Sequence, residues 1–380
     1  MRIIVDAEQI IGARTGIPRV TFLDSLVFTQ IFQELELVVS NQSEKLLFRS
    51  KEYQMIRSCI SEQPRKSLIV NPNRPNNRRL WLLQSMGGIN PNISIKTNFR
   101  YSSLFPGMYR ESKNVKDVIR IHDSYRTLNQ VGIKQVELRK KKLVIARQLR
   151  DKAFVEQLRK KSIIVANSQY TANQFSQNYN VAADRFNVIW PSVGFRSQES
   201  CQSDYSIHPR PYLLSVMSQR QRKDPVFVIN SWAESADKVD LDLIVVGEIP
   251  LNLLSFASQK LLAIGKLRIY PHLLTNELID IQKKAFASIF ASRGEGFGLP
   301  LAESLFYGVP VIHNRLSVFE EVCGDVSIKF SIDDQDSLVQ AILNLRQNES
   351  EYKQIRLTSW KRGFQFSHEE AARKWSSLLF

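Results

Sequence analysis

The chain has 380 residues, a formal net charge of +15 and a hydrophobic content of 43%. This length predicts two domains with packed cores. Because no apolar run reaches about 18 residues, no transmembrane helix is expected. Three scattered cysteines and five unclustered histidines argue against a disulfide framework and a metal site, and favour a cytoplasmic location.

The charge is concentrated in one half of the chain. Residues 1–195 hold 31 Lys and Arg against 15 Asp and Glu, a net +16, and the remainder holds 21 against 22, a net −1. This asymmetry predicts an anionic partner for the first half. A membrane surface, a phospholipid-linked acceptor and a nucleic acid all fit that description.

Two loops of the first half follow predicted strands. The first strand, 1–10, leads into a turn at 12–19 that places Gly16 beside basic residues, and a helix follows. A later strand ends in His122 and Asp123. A plain turn and a structural histidine remain open here beside a ligand-binding role.

A basic helix is predicted over 134–161. From Ile133 to Lys161 the chain carries eleven basic and three acidic residues, with apolar residues at helical spacing. One interpretation is a solvated face on a core-packed helix. The other is a surface helix attracted to anionic lipid, to which each basic residue contributes about 1 kcal/mol. Nucleic acid is not expected, since no aromatic residues for base stacking interleave with the basic run.

The second half begins with a predicted strand over Tyr212–Met217. A basic loop follows, and a helix begins at Pro225. Lys223 and Arg222, before a helix N-terminus, suit a diphosphate. Arg220 is an alternative to Arg222, and an exposed basic loop is the other interpretation. The remaining elements are predicted as strands over Leu241–Gly247 and Leu261–Leu267, and as helices over Asn276–Phe286, Ser317–Cys323, Asp333–Leu345, Ser350–Gly363 and His368–Leu379.

A glycine-rich stretch predicts a βαβ unit. A strand over Phe286–Ala291 leads to a turn at Gly294–Gly298, and a helix with Pro300 in its first turn precedes the next strand. Glu295 lies in the turn and Glu303 one turn into the helix. Free backbone amides at the helix N-terminus favour a phosphate, and the carboxylates are left to accept hydroxyl protons. These groups suit a nucleotide sugar; the alternative is a tight turn with two solvated glutamates.

The stretch from Phe290 to Ile312 resembles the Glu-x7-Glu signature of the retaining family 4 glycosyltransferases, also called glycosyl transferases group 1. The resemblance implies the α/β GT-B fold, with two Rossmann-like domains facing across a cleft. The acceptor-binding domain would be 1–195 and the nucleotide-sugar domain 205–365, and a C-terminal helix at 366–380 would cross back to the first. It also implies no metal requirement and no cofactor beyond the nucleotide-diphosphate sugar as co-substrate.

The resemblance also implies site residues. Three catalytic positions are expected: His122 near the donor sugar, Lys223 at the diphosphate and Glu295 at the sugar hydroxyls. Family members typically carry an arginine where this chain has Ser218, so the second basic group is expected from Arg222. The donor-binding residues expected are Gly16, Ser218, Arg222, Lys223, Glu295, Gly296, Phe297, Gly298, Leu299 and Glu303.

The predicted function is therefore transfer of a sugar, with mannose favoured, to a glycan or polyprenyl-linked acceptor in surface polysaccharide synthesis. The enzyme would be cytoplasmic, with peripheral attachment to the inner membrane face through 134–161. The alternative is a catalytically inactive GT-B protein that binds glycans or acts as a scaffold.

Overall fold

The chain forms two compact units in a computed structural model, residues 1–192 with 368–380 and residues 193–367. The structure describes residues 2–6, 16–32, 34–40, 66–71, 93–97, 116–122, 163–195, 210–217 and 223–380. The predicted basic helix at 134–161 lies outside the described residues, as do Ser218, Arg220 and Arg222.

The elements of these ranges alternate between strands and helices. The strands are β1 Arg2–Asp6, β2 Glu34–Ser40, β3 Lys66–Asn71, β4 Ile93–Thr97, β5 Lys116–Ile121, β6 Ile163–Ala166, β7 Phe186–Val188, β8 Tyr212–Val216, β9 Asp242–Val246, β10 Leu267–Tyr270, β11 Ala287–Phe290, β12 Val311–Asn314 and β13 Ile328–Phe330. The helices are α1 Gly16–Ile31, α2 Gln169–Tyr179, α3 Pro225–Ala233, α4 Ala236–Val239, α5 Phe256–Ala263, α6 Thr275–Lys284, α7 Leu299–Phe306, α8 Ser317–Cys323, α9 Gln335–Gln347, α10 Glu349–Gly363 and α11 His368–Leu379.

The first unit is built on a parallel sheet. Its strand order is β3-β2-β1-β4-β5-β6-β7, so the order reverses between β1 and β4. No strand was predicted from the sequence in the segment that forms β4. In the structure β4 pairs with β1, and Ile93 lies opposite Ile3. This strand has only five residues, and its place beside β1 depends on pairing with a segment about 90 residues away in the chain.

A buried ion pair lies in the core of the first unit. The Arg120 Nε atom of β5 is 3.2 Å from Asp24 Oδ2 of α1, and both side chains are at most 1% exposed. Trp375 of α11 is fully buried. Its ring meets Phe28 edge-on, with centroids 5.1 Å apart, and the Arg120 guanidinium lies 5.4 Å from the ring centroid. Helix α11 is thus part of the core of this unit.

The second unit has a parallel sheet of order β10-β9-β8-β11-β12-β13. Strands β8 and β11 are neighbours, with β9 and β10 on one side and β12 and β13 on the other. In open α/β sheets, ligands bind beyond the carboxyl ends of the strands where the order reverses in this way. The loops after β8 and β11 therefore occupy the position where a ligand is expected.

Helix α10 packs closely against its neighbours within the second unit. Tyr352 stacks on Phe286 with ring centroids 4.4 Å apart, and its hydroxyl donates to the Phe286 carbonyl at 3.0 Å. At Gly363, a Cβ atom would overlap the backbone of Leu305 and Phe306 in α7. Only glycine permits this close approach of α10 to α7.

The predicted strand over Leu261–Leu267 is wrong. Residues Phe256–Ala263 form helix α5, and only Leu267 of the predicted strand belongs to β10. Ser255 caps this helix by accepting a hydrogen bond from the Ser258 amide at 3.2 Å. A short apolar run fits a buried strand and a buried helix equally well, and the cap favours the helix.

None of the helices in the described part of the chain combines the length and the apolar character required to cross a bilayer.

Candidate active site

The glycine-rich turn follows β11, and its start is fixed by a neighbouring strand. The side chain of Asn314, at the end of β12, accepts from the Ser292 amide at 2.8 Å and donates to the Ser292 carbonyl at 2.9 Å. Both residues are buried. A paired amide of this kind fixes where the turn leaves the sheet. The sequence did not identify Asn314, whose only signal is a polar residue at the end of an apolar strand.

Gly298 precedes the first residue of α7, and its backbone requires glycine. Its φ is +91°, and no side chain caps the helix at this position. A Cβ atom there would lie 2.9 Å from Cε1 of Phe319. Within the first turn of α7, Pro300 has no N–H, and the Leu301 amide donates to the Gly298 carbonyl at 3.0 Å. The positive end of the helix dipole lies at Leu299 and favours an anion.

Lys223 and Glu295 meet at this helix N-terminus. The Lys223 Nζ atom is 3.6 Å from Glu295 Oε1, and the side chains are 22% and 13% exposed. Lys223 follows β8 and Glu295 follows β11, so the two loops that flank the reversal of strand order each supply one charge. The structure thus brings together two of the three residues predicted to be catalytic.

The pair lines a small pocket between β8, β11 and α7. Val216 and Phe290, at the ends of β8 and β11, and Gly298, before α7, also line it. An apolar pocket with a few convergent polar groups is the usual form of a small-molecule site.

The other predicted residues of the turn differ in their surroundings. Phe297 is buried and meets Phe366 edge-on at 6.0 Å, so its side chain packs in the second unit. Gly296 is buried and Leu299 is half-buried. Glu303 is not among the residues that border the pocket.

Glu303 accepts a hydrogen bond from Gln282, which, like Asn314, was not identified from the sequence. The buried Gln282 of α6 donates from Nε2 to Glu303 Oε2 at 3.3 Å. Gln282 is only 2% exposed, and its amide fixes one oxygen of the carboxylate. Its signal in the sequence is weak, since it is one of several polar residues on a helix.

Arg293, in the same turn as Glu295, contacts two carboxylates from other loops. Its Nη2 atom donates to Asp224 Oδ2 at 2.9 Å, and its Nη1 atom donates to Asp333 Oδ2 at 2.9 Å. A further contact joins Nη2 to the second oxygen of Asp333. Hydrogen bonds to Asp333, then to Asp224, raise the pKa of Arg293, so the guanidinium stays charged. Arg293 is not among the site residues predicted from the sequence.

His122 and Gly16 lie in the first unit, where they follow β5 and begin α1. His122 is buried, and its carbonyl accepts from Asn167 Nδ2 at 2.6 Å. Burial, with a smaller contribution from the charge of Arg120, lowers the pKa of His122 to about 3. The imidazole is therefore neutral near pH 7. The predicted roles of both residues at the donor stay predictions.

Within the described ranges, no cluster of three or more His, Cys, Asp or Glu side chains has the arrangement to hold a metal ion.

Known proteins with similar sequences are glycosyltransferases. Residues 199–360 match the family described as Glycosyl transferases group 1. The O-antigen chain mannosyltransferase RfbU of Salmonella typhimurium is 27% identical over 179 residues, which are 46% of this chain and 48% of that protein. The serotype-specific mannosyltransferase WbdA of Escherichia coli is 29% identical over 180 residues, 44% of this chain and 21% of that protein. The aligned segments thus span about half of one relative and a fifth of the other.

Solved structures match over nearly the whole chain. Anabaena HepE in complex with UDP and glucose superposes with a TM-score of 0.68 at 11% identity, covering 100% of this chain and 99% of that one. WaaG, a glycosyltransferase involved in lipopolysaccharide biosynthesis, has a TM-score of 0.62 at 14% identity and 98% coverage of both chains. Residues 199–360 are therefore similar to the group 1 glycosyl transferases, and the chain has the GT-B fold.

Proposed function

We propose that the protein transfers mannose from a nucleotide-diphosphate sugar to a glycan or polyprenyl-linked acceptor, with retention of the anomeric configuration and without a metal ion. The observation that carries the proposal is the Lys223–Glu295 pair beside a pocket at the N-terminus of α7. A cation and backbone amides at a helix N-terminus suit a diphosphate, and a carboxylate suits sugar hydroxyls. The two mannosyltransferase relatives support the choice of sugar.

The described residues have distinct roles in this proposal. Lys223 stabilises the negative charge that develops on the leaving diphosphate. The amides of Gly296, Phe297, Gly298 and Leu299 hold its distal phosphate. When the donor binds, the ammonium of Lys223 moves from Glu295 to the phosphate, which frees the Glu295 carboxylate to accept from sugar hydroxyls. Glu303, held by Gln282, accepts from the ribose.

The transfer step is a displacement on one face of the sugar. The bond between the anomeric carbon and the diphosphate oxygen breaks, and its electron pair stays on the diphosphate. The acceptor oxygen forms the new bond to the anomeric carbon, and its proton passes to the leaving phosphate. Neither glutamate forms a covalent bond in this route, so a trapped glycosyl ester on Glu295 would refute it.

A donor screen tests the proposal. A ligand that binds only the folded protein raises its stability by about 2.7 kcal/mol at a hundred times Kd. GDP-mannose is expected to raise the Tm more than UDP-glucose or UDP-N-acetylglucosamine. Release of GDP in the presence of EDTA should then match release without it. A larger shift with a UDP-sugar would replace mannose in the proposal, and loss of turnover in EDTA would remove the metal-independent part.

Product stereochemistry tests retention separately. The anomeric configuration of freshly formed product, measured by proton NMR, should equal that of the donor. An inverted product would contradict the one-face displacement. A protein that binds the donor but neither transfers nor hydrolyses it would instead be a catalytically inactive glycan-binding or scaffold protein.

We further propose that the protein is cytoplasmic and attaches to the inner face of the membrane. The support for this attachment is the net +16 of residues 1–195, since anionic headgroups attract basic residues near the surface. Co-sedimentation with phosphatidylglycerol vesicles at low salt is expected, with little binding to neutral vesicles. Equal recovery with both vesicle types would rule out an electrostatic attachment.

A further inference from the structure

Arg293 joins three loops at the carboxyl edge of the second sheet. It lies in the turn after β11, Asp224 lies between β8 and α3, and Asp333 lies between β13 and α9. The guanidinium donates to both carboxylates. Its side chain is 45% exposed, against 24% for Asp224 and 61% for Asp333. Because exposed ion pairs add little to stability, this arrangement is better suited to fixing geometry than to holding the fold.

Both aspartates have backbones that depart from the usual regions. The φ angles are +31° at Asp224 and +68° at Asp333, in the left-handed half of φ space that non-glycine residues seldom occupy. Asp224 also precedes α3 as its N-cap, yet its side chain makes no capping hydrogen bond. The carboxylate that would normally cap the helix is turned toward Arg293. The guanidinium thus holds the conformation of the loop immediately after Lys223.

The contact between Arg293 and Asp224 affects the charge beside the pocket. Asp224 adjoins Lys223, whose ammonium is 3.6 Å from Glu295. A carboxylate turned toward the pocket would compete for that ammonium and repel a diphosphate. Arg293 donates to Asp224 Oδ2 at 2.9 Å, and its positive charge balances that of the carboxylate. One turn of the chain therefore carries both Glu295, which meets Lys223, and Arg293, which meets the neighbour of Lys223.

We propose that Arg293 is a positioning residue for the transfer reaction: by binding the Asp224 carboxylate, it holds the Lys223 ammonium where the diphosphate of the donor binds. The inference rests on the proposed function, because Lys223 needs a diphosphate to act on. Arg293 itself touches neither the sugar nor the phosphate in this role.

The test compares R293Q with R293K and with R373Q. Arg373 makes a two-point contact with Glu370 in α11, at 2.8 and 2.7 Å, so R373Q removes a similar ion pair far from the turn in sequence. R293Q should lower kcat about tenfold or more with a smaller change in the donor KM, and R373Q should change neither by more than twofold. R293K keeps the charge but loses the two-carboxylate contact, and should recover part of the activity. Thermal unfolding of all three should stay close to that of the wild type.

A double variant separates positioning from a merely structural role. If Arg293 acts through Lys223, R293Q should cost little further activity in a K223A background. A tenfold loss in both backgrounds, or R293Q within twofold of the wild type, would overturn the proposal.

Binding of GDP, by calorimetry, gives a readout that does not require turnover. R293Q should weaken GDP several-fold and leave guanosine unchanged. A wild-type protein that binds no nucleoside diphosphate, neither GDP nor UDP, overturns the proposed function and this role together. A wild type that binds GDP beside an R293Q variant of equal affinity overturns only the role of Arg293.

Discussion

The two units each contain an ion pair at a parallel sheet, and the pairs differ in their access to water. Asp24 and Arg120 of the first unit are at most 1% exposed. Lys223 and Glu295 of the second are 22% and 13% exposed, and they border a pocket. If a buried ion pair separates, each charge stays out of water without a partner, which is costly. A pair at the edge of a pocket can separate because water or a ligand can take the place of the partner. The first pair is therefore structural, and the second can give way to a ligand.

Burial shifts the pKa values of Asp24 and His122, in the first unit, in opposite directions. Burial raises the pKa of Asp24 to about 6, although the charge of Arg120 acts in the opposite direction. Burial lowers the pKa of His122 to about 3. In both cases desolvation disfavours the charged form.

The largest effect is expected from breaking the buried pair. R120M leaves the Asp24 carboxylate buried without its partner, and removing one member of such a pair costs about 3–5 kcal/mol. Urea unfolding followed by tryptophan fluorescence measures the loss. R373M is the matched control on an exposed pair and should leave the free energy of unfolding close to that of the wild type. If R120M is as stable as R373M, the buried pair is not structural.

Removing the cation of the pocket should affect catalysis instead of stability. K223A is expected to lower kcat by about 10²–10³, by analogy with the loss of one transition-state donor. Its Tm should change little, since the pair is partly solvated. K353A, which removes the lysine of an exposed pair with Glu349 in α10, is the control. Normal turnover by K223A would remove Lys223 from the mechanism.

The pH dependence of stability should reveal two opposing slopes in the first unit. Asp24 binds its proton more tightly when folded, so its contribution falls as the pH rises from about 4 to 6. His122 binds its proton less tightly when folded, so its contribution rises between about pH 3 and 6.5. Each slope is at most about 1.4 kcal/mol per pH unit, and the two oppose each other where they overlap.

Single substitutions separate these slopes. Relative to the wild type, D24N should gain stability as the pH rises from 4 to 6, and H122N should lose it. Urea titrations at half-unit steps measure both differences. Differences that do not change with pH would mean that neither group titrates in this window on folding.

The smallest effect is expected at the edge of the site. E303A should weaken donor binding about tenfold or more, since a hydrogen bond to a charged group contributes about 1.5–3 kcal/mol. The effect should fall on the donor KM more than on kcat. E349A removes an exposed glutamate of α10 and serves as the control. Unchanged donor affinity in E303A would exclude Glu303 from the nucleotide site.

Local patterns account for much of the second unit. The turn at Gly294–Gly298, the helix after it and the strand on each side follow from glycine, proline and apolar spacing, and the structure has them within a residue or two. The helix His368–Leu379 was predicted with the bounds that the structure has. The error at Leu261–Leu267 arose where an apolar run was compatible with both structures. The cap from Ser255, and the Asn230 side chain that accepts from the Ser255 amide at 2.9 Å, decided it.

The sequence by itself indicated the likeness to the group 1 glycosyl transferases and the GT-B fold, because the glycine-rich turn and the charges beside it are local in the chain. Only the tertiary structure decided which of these groups meet. Arg293 lies 69 residues from Asp224 and 40 from Asp333, and Gln282 lies 21 residues from Glu303. Such contacts depend on the order of strands in the sheet, which brings distant loops to one edge. The glycine-rich turn of the second unit was therefore predictable, and the arginine that joins it to two other loops was not.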